Sequence, residues 1–208
     1  MRIVKEASER RNEILDAADE LFGVKGFDST STGDILDRVK IARGTLYYHF
    51  KSKEDIMDAL IERYNDQLLG EARKIASNKS MPVGDRIVRT VMSLNLKGKS
   101  DAVIMEHIHK PQNALMHQKI GKMVLREVTP ILTEIIEDGI SEGLFKTPYP
   151  YECMEMVISY MDTVFDEEMV ELTREELLTR VDAFIYNLER LLDVEEGGLN
   201  FARKIFGM

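Results

Sequence analysis

Apolar residues return every three or four positions along almost the whole chain, and no stretch shows the strict alternation of a strand. Between Ser8 and Val24, the residues Ile14, Leu15, Ala18, Leu21 and Phe22 fall on one face of a helix that Gly26 ends. Ser31, with Asp34 three residues on, reads as a capping box that opens a short helix burying Ile35, Leu36 and Val39. A brief turn leads to a second short helix, Arg43 to Phe50. Ser52-Lys53-Glu54-Asp55 repeats the cap pattern and starts a helix through Ile56, Leu60, Tyr64 and Leu68 towards Ala76. Pro82 suits the first turn of the next helix, which Lys97-Gly98 breaks. A short helix is expected from Asp101 to His109, then a long one reaching Ser141. Pro130, inside the long helix, has no N–H for the carbonyl of Arg126, so a kink is expected there. Gly143 ends it. Pro148 and Pro150 lead into a helix with Met154, Val157, Ile158, Met161 and Phe165 on one face. A full capping box, Thr173 to Glu176, opens the last long helix, which carries Leu177, Val181, Phe184, Leu188 and Leu191. Gly197-Gly198 closes it, and a short apolar tail follows. The expected class is all-α, with about nine helices.

The 208 residues allow one or two domains, and 44% apolar with 31% charged residues is ordinary for a soluble globular chain. The one cysteine, Cys153, has no partner for an intrachain disulfide. Glu152 and Glu155 beside it disfavour a thiolate, so it is expected to be a buried structural thiol. No apolar run approaches the ~20 residues of a membrane span, and the N-terminus lacks a signal-peptide core. No membrane partner is expected, and the cytoplasm is the expected location.

The net charge of −9 argues against nucleic acid only until it is divided by region. Residues 1–53 hold ten basic and nine acidic side chains, whereas residues 151–196 hold three and fourteen. From Arg38 to Lys53 there are five basic residues and no acidic one. This basic stretch lies on the two short helices and their turn, preceded by a third helix. A helix-turn-helix reader needs that arrangement: the second helix enters the major groove and the first buttresses it. The second short helix, Arg43-Gly44-Thr45-Leu46-Tyr47-Tyr48-His49-Phe50, turns only Leu46 and Phe50 clearly to a core. Hydroxyls, aromatic faces and a guanidinium are left for the outside.

Residues 9–60 resemble the N-terminal domain of TetR-family transcriptional repressors. The resemblance rests on Ile14-Leu15-x-Ala17-Ala18-x-x-Leu21-Phe22-x-x-x-Gly26-Phe27, on Ser31-Thr32-x-Asp34-Ile35, and on Gly44-Thr45-Leu46-Tyr47-Tyr48-His49-Phe50-x-Ser52-Lys53-Glu54. Two positions depart from the family pattern. Lys40 stands in the turn where glycine is usual, and Ala42 stands where Ser or Thr usually caps the reading helix. The resemblance implies a DNA-binding domain over residues 1–53 and a ligand-binding and dimerisation domain over 54–208. By position, Tyr47, His49 and Lys53 are expected at phosphates, and Ser31 and Thr32 at phosphates or the groove. Lys40 is a further candidate for a phosphate, while Arg43, Gly44, Thr45 and Tyr48 are candidates at base edges.

The same resemblance implies a homodimer on a palindromic operator, released when a small molecule binds the larger domain. The dimer interface is expected from Met154, Val157, Ile158, Met161, Phe165, Leu177, Val181, Phe184 and Leu188, on apolar faces that look too long for a monomer's surface. Twelve methionines suggest an adaptable apolar pocket, with Met92, Leu96, Met105, His109, Met116, Met123 and Tyr160 as candidate lining residues. His107 and His109 lie roughly 200° apart on a helix, so no metal site is expected. Nor is any cofactor or catalytic residue. No nucleophile–base motif or phosphate loop favours an enzyme. A regulator answering to a protein partner instead of a small ligand is the remaining alternative; an open apolar cavity favours the ligand and a solid core favours the partner.

Overall fold

The computed structural model describes residues 6–94, 110–165 and 172–208. Among these the chain is helical, without strands. The α-helices are α1 (Ala7–Lys25), α2 (Thr32–Val39), α3 (Arg43–His49), α4 (Lys53–Ala76), α5 (Val83–Ser93), α6 (Ala114–Ser141), α7 (Pro150–Val164) and α8 (Arg174–Leu191). Short 3-10 helices cover Pro111–Asn113 and Asn200–Phe206. The helix expected at Asp101–His109 lies outside the described residues, as do Leu96, Met105, His107 and His109.

The expected start signals take physical form. The Ser31 hydroxyl accepts the Asp34 N–H, and the Asp34 carboxylate accepts the Ser31 N–H. Thr173 and Glu176 form the same reciprocal pair at α8. At α4 the Ser52 hydroxyl accepts the Asp55 N–H, but the Asp55 carboxylate reaches one residue further back, to the N–H of Lys51. Each arrangement satisfies donors that a helix start leaves without intrahelical partners. α6 runs through Pro130 as one helix; Thr129 and Thr133 donate their hydroxyls to the carbonyls of Leu125 and Thr129.

The described residues divide into two compact units. The first comprises residues 6–66 and 110–120. Its core is built from Ile14, Leu15, Ala18 and Phe22 of α1, Ile35 of α2, Leu46 of α3 and Ile56, Met57 and Leu60 of α4. Inside it the Tyr64 hydroxyl donates to Asp19. Burial, and then the Asp19 carboxylate, holds this phenol above its ordinary range.

The second unit comprises residues 67–94, 121–165 and 172–208. Its core gathers α5, α7, α8 and the greater part of α6 around Leu132, Ile135, Ile136, Ile158, Val181 and Ile185. An ion pair between the buried Arg86 and the partly exposed Asp138 fastens one end. The Arg86 guanidinium donates to the carbonyl of Ala76 and meets Asp138 at 2.8 Å, while Lys79 meets the other Asp138 oxygen at 2.8 Å. Lys79, then Arg86, holds the Asp138 carboxyl below its ordinary range. Cys153 is buried beside the Thr147 hydroxyl, as a structural thiol.

Candidate nucleic-acid interface

α2 ends at Lys40, whose backbone is left-handed (φ 57°, ψ 48°) and whose N–H returns to the carbonyl of Leu36. The departure from glycine thus keeps the turn and costs about 1 kcal/mol. α3 then starts at Ala42 with no side-chain cap, its carbonyl accepting the N–H of Thr45 at 2.9 Å. Leu46 (1% exposed) and Phe50 (3%) anchor α3 in the core. That anchoring fixes which side chains face out. Arg43, Gly44, Tyr47 and Tyr48 are exposed, Tyr48 to 77%, with Thr45 and His49 half-buried between them. A Cβ on Gly44 would meet nothing within 4 Å, so only an approaching partner gives this glycine a steric reason.

The outward face is organised. The Arg43 guanidinium lies over the Tyr47 ring, 5.4 Å from its centroid. Arg43, and then the Thr32 hydroxyl, interacts with the Tyr47 hydroxyl and holds the phenol below its ordinary range. The Tyr48 and His49 rings meet edge to face at 4.9 Å. Burial foremost, then the nearby charges of Arg11 and Arg10, holds His49 below its ordinary range, so it offers a neutral imidazole at pH 7. Arg11, which sequence reasoning did not single out, stacks on Phe50 at 5.1 Å. Lys40 and Lys51 are exposed at either end of α3.

Two expected contacts have other work. The Lys53 ammonium donates to the carbonyl of Phe27 at 2.6 Å and sits 4.2 Å from the centroid of its ring. Its long stem carries the charge back into the α1–α2 turn. The Ser31 hydroxyl both donates to and accepts from Asp34, so it acts as a cap. Arg38 is paired with Glu20 at 2.6 Å.

The α1–α2 turn is also held from far along the chain. Phe27 donates its N–H to Oδ1 of the fully buried Asn113 at 2.8 Å, and Asp28 donates its N–H to the carbonyl of Gln112 at 3.3 Å. Gly26 (φ +85°) lies against the Gln112 side chain, where a Cβ would come within 2.1 Å of Cγ. Thr30 donates its hydroxyl to the carbonyl of Gly26 at 2.8 Å. Lys119 pairs with Asp58. The backbone groups of the turn therefore have named partners, two of them from the segment that leads into α6.

Residues 14–60 match the model of the bacterial regulatory proteins of the tetR family, and residues 98–186 match a tetracyclin repressor-like C-terminal domain. The HTH-type transcriptional repressor KstR2 of Rhodococcus jostii (strain RHA1) is 41% identical over 149 residues, 70% of this chain and 72% of that protein. The chain belongs to the TetR family. It is by family a transcriptional regulator and not an enzyme. Its fold is that of solved TetR-family structures. Salmonella enterica GusR aligns at a TM-score of 0.62 and 21% identity, over 91% of this chain and 98% of that one. RolR in complex with resorcinol aligns at 0.62 and 14% identity, over 96% and 94%.

In this TetR-family chain four of the expected pocket residues are described. Of the expected pocket residues, Met92 is 50% exposed and Tyr160 is exposed. Met116 is buried in the first unit and Met123 in the second. None of the four borders an apolar cavity of the second unit. That cavity, about 50 Å³, lies in the second unit among α5, α6, α7, α8 and the Asn200–Phe206 helix. Its lining includes Val91 and Met161, the immediate neighbours of Met92 and Tyr160. One residue is 100° of helix, enough to turn a side chain from core to solvent.

The expected dimer residues all take part in the core of the second unit. Met154, Val157, Ile158, Val181 and Phe184 are buried within the single chain, and Met161, Phe165, Leu177 and Leu188 pack against the same core. They serve intrachain packing. The faces that α7 and α8 leave outside carry Met156 (58% exposed), Tyr160, Leu178 and Tyr186 (53% exposed).

Among the described residues no three His, Cys, Asp or Glu side chains converge as a metal would need. No described helix is long and apolar enough to cross a membrane.

Proposed function

We propose that the protein is a dimeric, ligand-responsive repressor in which each copy lays α3 in a major groove of a palindromic operator. The carrying observation is the division of α3 itself. Leu46 and Phe50 lock it to the core, while Arg43, Thr45, Tyr47 and Tyr48 stand outward between exposed lysines on an acid-free stretch. Arg43 suits O6 and N7 of a guanine, and Thr45 and Tyr48 suit a thymine methyl or the backbone. Tyr47, His49, Lys40 and Lys51 suit phosphates, which set register without reading sequence. Thr32, joined to Tyr47, steadies the phenol at that contact.

A twofold arrangement demands half-sites about 34–36 Å apart. The exposed Met156, Tyr160, Leu178 and Tyr186 support pairing with a second copy through the outer faces of α7 and α8. The wholly apolar lining of the second unit's cavity supports a small-molecule effector that enlarges it on entry, and the RolR neighbour is described with resorcinol. An effector acts here by preferring the protein conformation in which the half-site spacing is lost. A near-complete switch needs a preference of about 5.5 kcal/mol.

The test is stoichiometry with a salt series. Two protomers per palindrome are expected, with log affinity falling linearly against log salt concentration. Tyr47→Phe is expected to weaken binding to all sequences alike. One protomer per site, or an affinity indifferent to salt, contradicts the reading.

A further inference from the structure

The cavity of the second unit has a chemical character that names what it takes. Its lining consists of hydrocarbon and aromatic side chains with the thioethers of two methionines, and none of the lining residues is polar or charged. Val91, Ile136, Met161 and Phe184 belong to the α-helical walls; Phe201 and Ile205 belong to the 3-10 helix near the C-terminus. Glu189, the buried acid of α8, does not line it. Its carboxylate accepts the N–H groups of Gly197 (2.9 Å) and Leu199 (3.1 Å) instead. A charged or hydrogen-bonding group entering such a space loses its water and gains no partner, a penalty that excludes it.

Size decides how a ligand gets in. About 50 Å³ is well short of the roughly 150 Å³ that lets an apolar cavity take benzene. One wall must therefore move. Four of the walls are α-helices in the unit's core. The fifth is a 3-10 helix of seven residues, a conformation with poorer hydrogen-bond geometry. It is tied at its start by Glu189 and along its side by an exposed ion pair between Arg203 and Asp182 at 2.6 Å. Surface pairs of this kind hold weakly. Phe201 lies against Gly84 of α5, and Phe206 lies against Phe165 at 4.7 Å, so the segment closes the cavity with ring contacts that an entering ring can replace.

We propose that this cavity is a binding site for a compact, uncharged, apolar ligand or ligand group, and that the ligand takes the place of the Phe201 side chain as the C-terminal 3-10 helix gives way. The proposal rests on the reading of the second unit as the effector-binding part, and adds to it the chemical class and the wall that yields. Benzene is the probe and benzoate its charged counterpart, both titrated into the full chain by calorimetry. Saturable benzene binding and no benzoate binding are expected. Phe201→Ala is expected to tighten benzene roughly tenfold, since it vacates a ring-sized space. Ala202→Leu fills the space from the same segment and is expected to weaken benzene by a similar factor. Equal binding of benzoate, no binding of benzene, or the same affinity in both variants overturns the proposal. If either variant fails to fold, crystals of the unaltered protein under xenon decide, by density in the cavity or its absence. Operator binding measured on the same preparation separates the two readings. Intact DNA binding without benzene binding removes only the cavity proposal, and benzene binding without DNA binding removes only the regulator.

Discussion

Replacing Asn113 by alanine removes the acceptor that holds the Phe27 amide, 86 residues away in sequence, and leaves that amide buried. A buried donor without a partner costs about 1–3 kcal/mol. For a chain of this length each kcal/mol lowers Tm by about 2–4 °C, so a fall of roughly 2–12 °C is expected. The more direct readout is local. Hydrogen exchange at Phe27 should quicken by roughly ten- to a hundredfold, at 1.4 kcal/mol per factor of ten. Gln112→Ala is the matched control. Gln112 accepts the Asp28 N–H through its backbone carbonyl, which alanine keeps, and loses only its side-chain packing on Gly26, so the Phe27 rate should stay within about threefold of the unaltered protein. The turn positions α1 against α2, so operator affinity should fall in Asn113→Ala and hold in Gln112→Ala. An unchanged Phe27 exchange rate in Asn113→Ala refutes the claim that this side chain clamps the turn.

Three further outcomes follow from the geometry. Lys40→Gly relieves a left-handed non-glycine residue and should raise stability by up to about 1 kcal/mol in thermal unfolding, while weakening DNA binding uniformly across sequences. Asp138→Ala leaves the buried Arg86 guanidinium with only the Ala76 carbonyl and should cost about 1–3 kcal/mol by denaturant titration, more than loss of an exposed pair such as Arg38–Glu20. His49 has its folded pKa held below the ordinary value of about 6.5, so its neutral form favours the folded state. That contribution is present above about pH 6.5 and is lost as pH falls through the lowered folded value, because the unfolded chain takes the proton first. His49→Asn should therefore show a shallower loss of Tm between about pH 7 and pH 5.

What the sequence revealed and what it concealed divide by range. The caps at Ser31–Asp34 and Thr173–Glu176 were legible because each is closed within four residues. The outward face of α3 was legible because Leu46 and Phe50 mark its core side. The left-handed turn was legible through the place of Lys40 in the family pattern. Asn113 was not, because no local pattern says that an amide beginning a long helix will accept from a residue 86 positions earlier. The contact of Lys53 with the Phe27 carbonyl was not legible because a lysine stem reaches about as far to a neighbouring carbonyl as to a phosphate. The α7 and α8 stripes were ambiguous because apolar spacing reads the same whether a face meets its own core or a second copy. The lining of the described cavity differs from the pocket candidates by helical phase. Methionine and tyrosine drew attention, whereas Val91 and Met161 beside them line the space.

Selection of bound sequences from a random DNA pool, run with the full chain and with Arg43→Ala, tests the central claim most directly. The account predicts a palindrome with half-sites about 10 base pairs apart, or a multiple of one helical turn. It also predicts that Arg43→Ala loses preference at one base pair per half-site while the other positions stand. A pool with no enriched sequence, or a profile identical in the variant, contradicts the assignment of α3 as the reader.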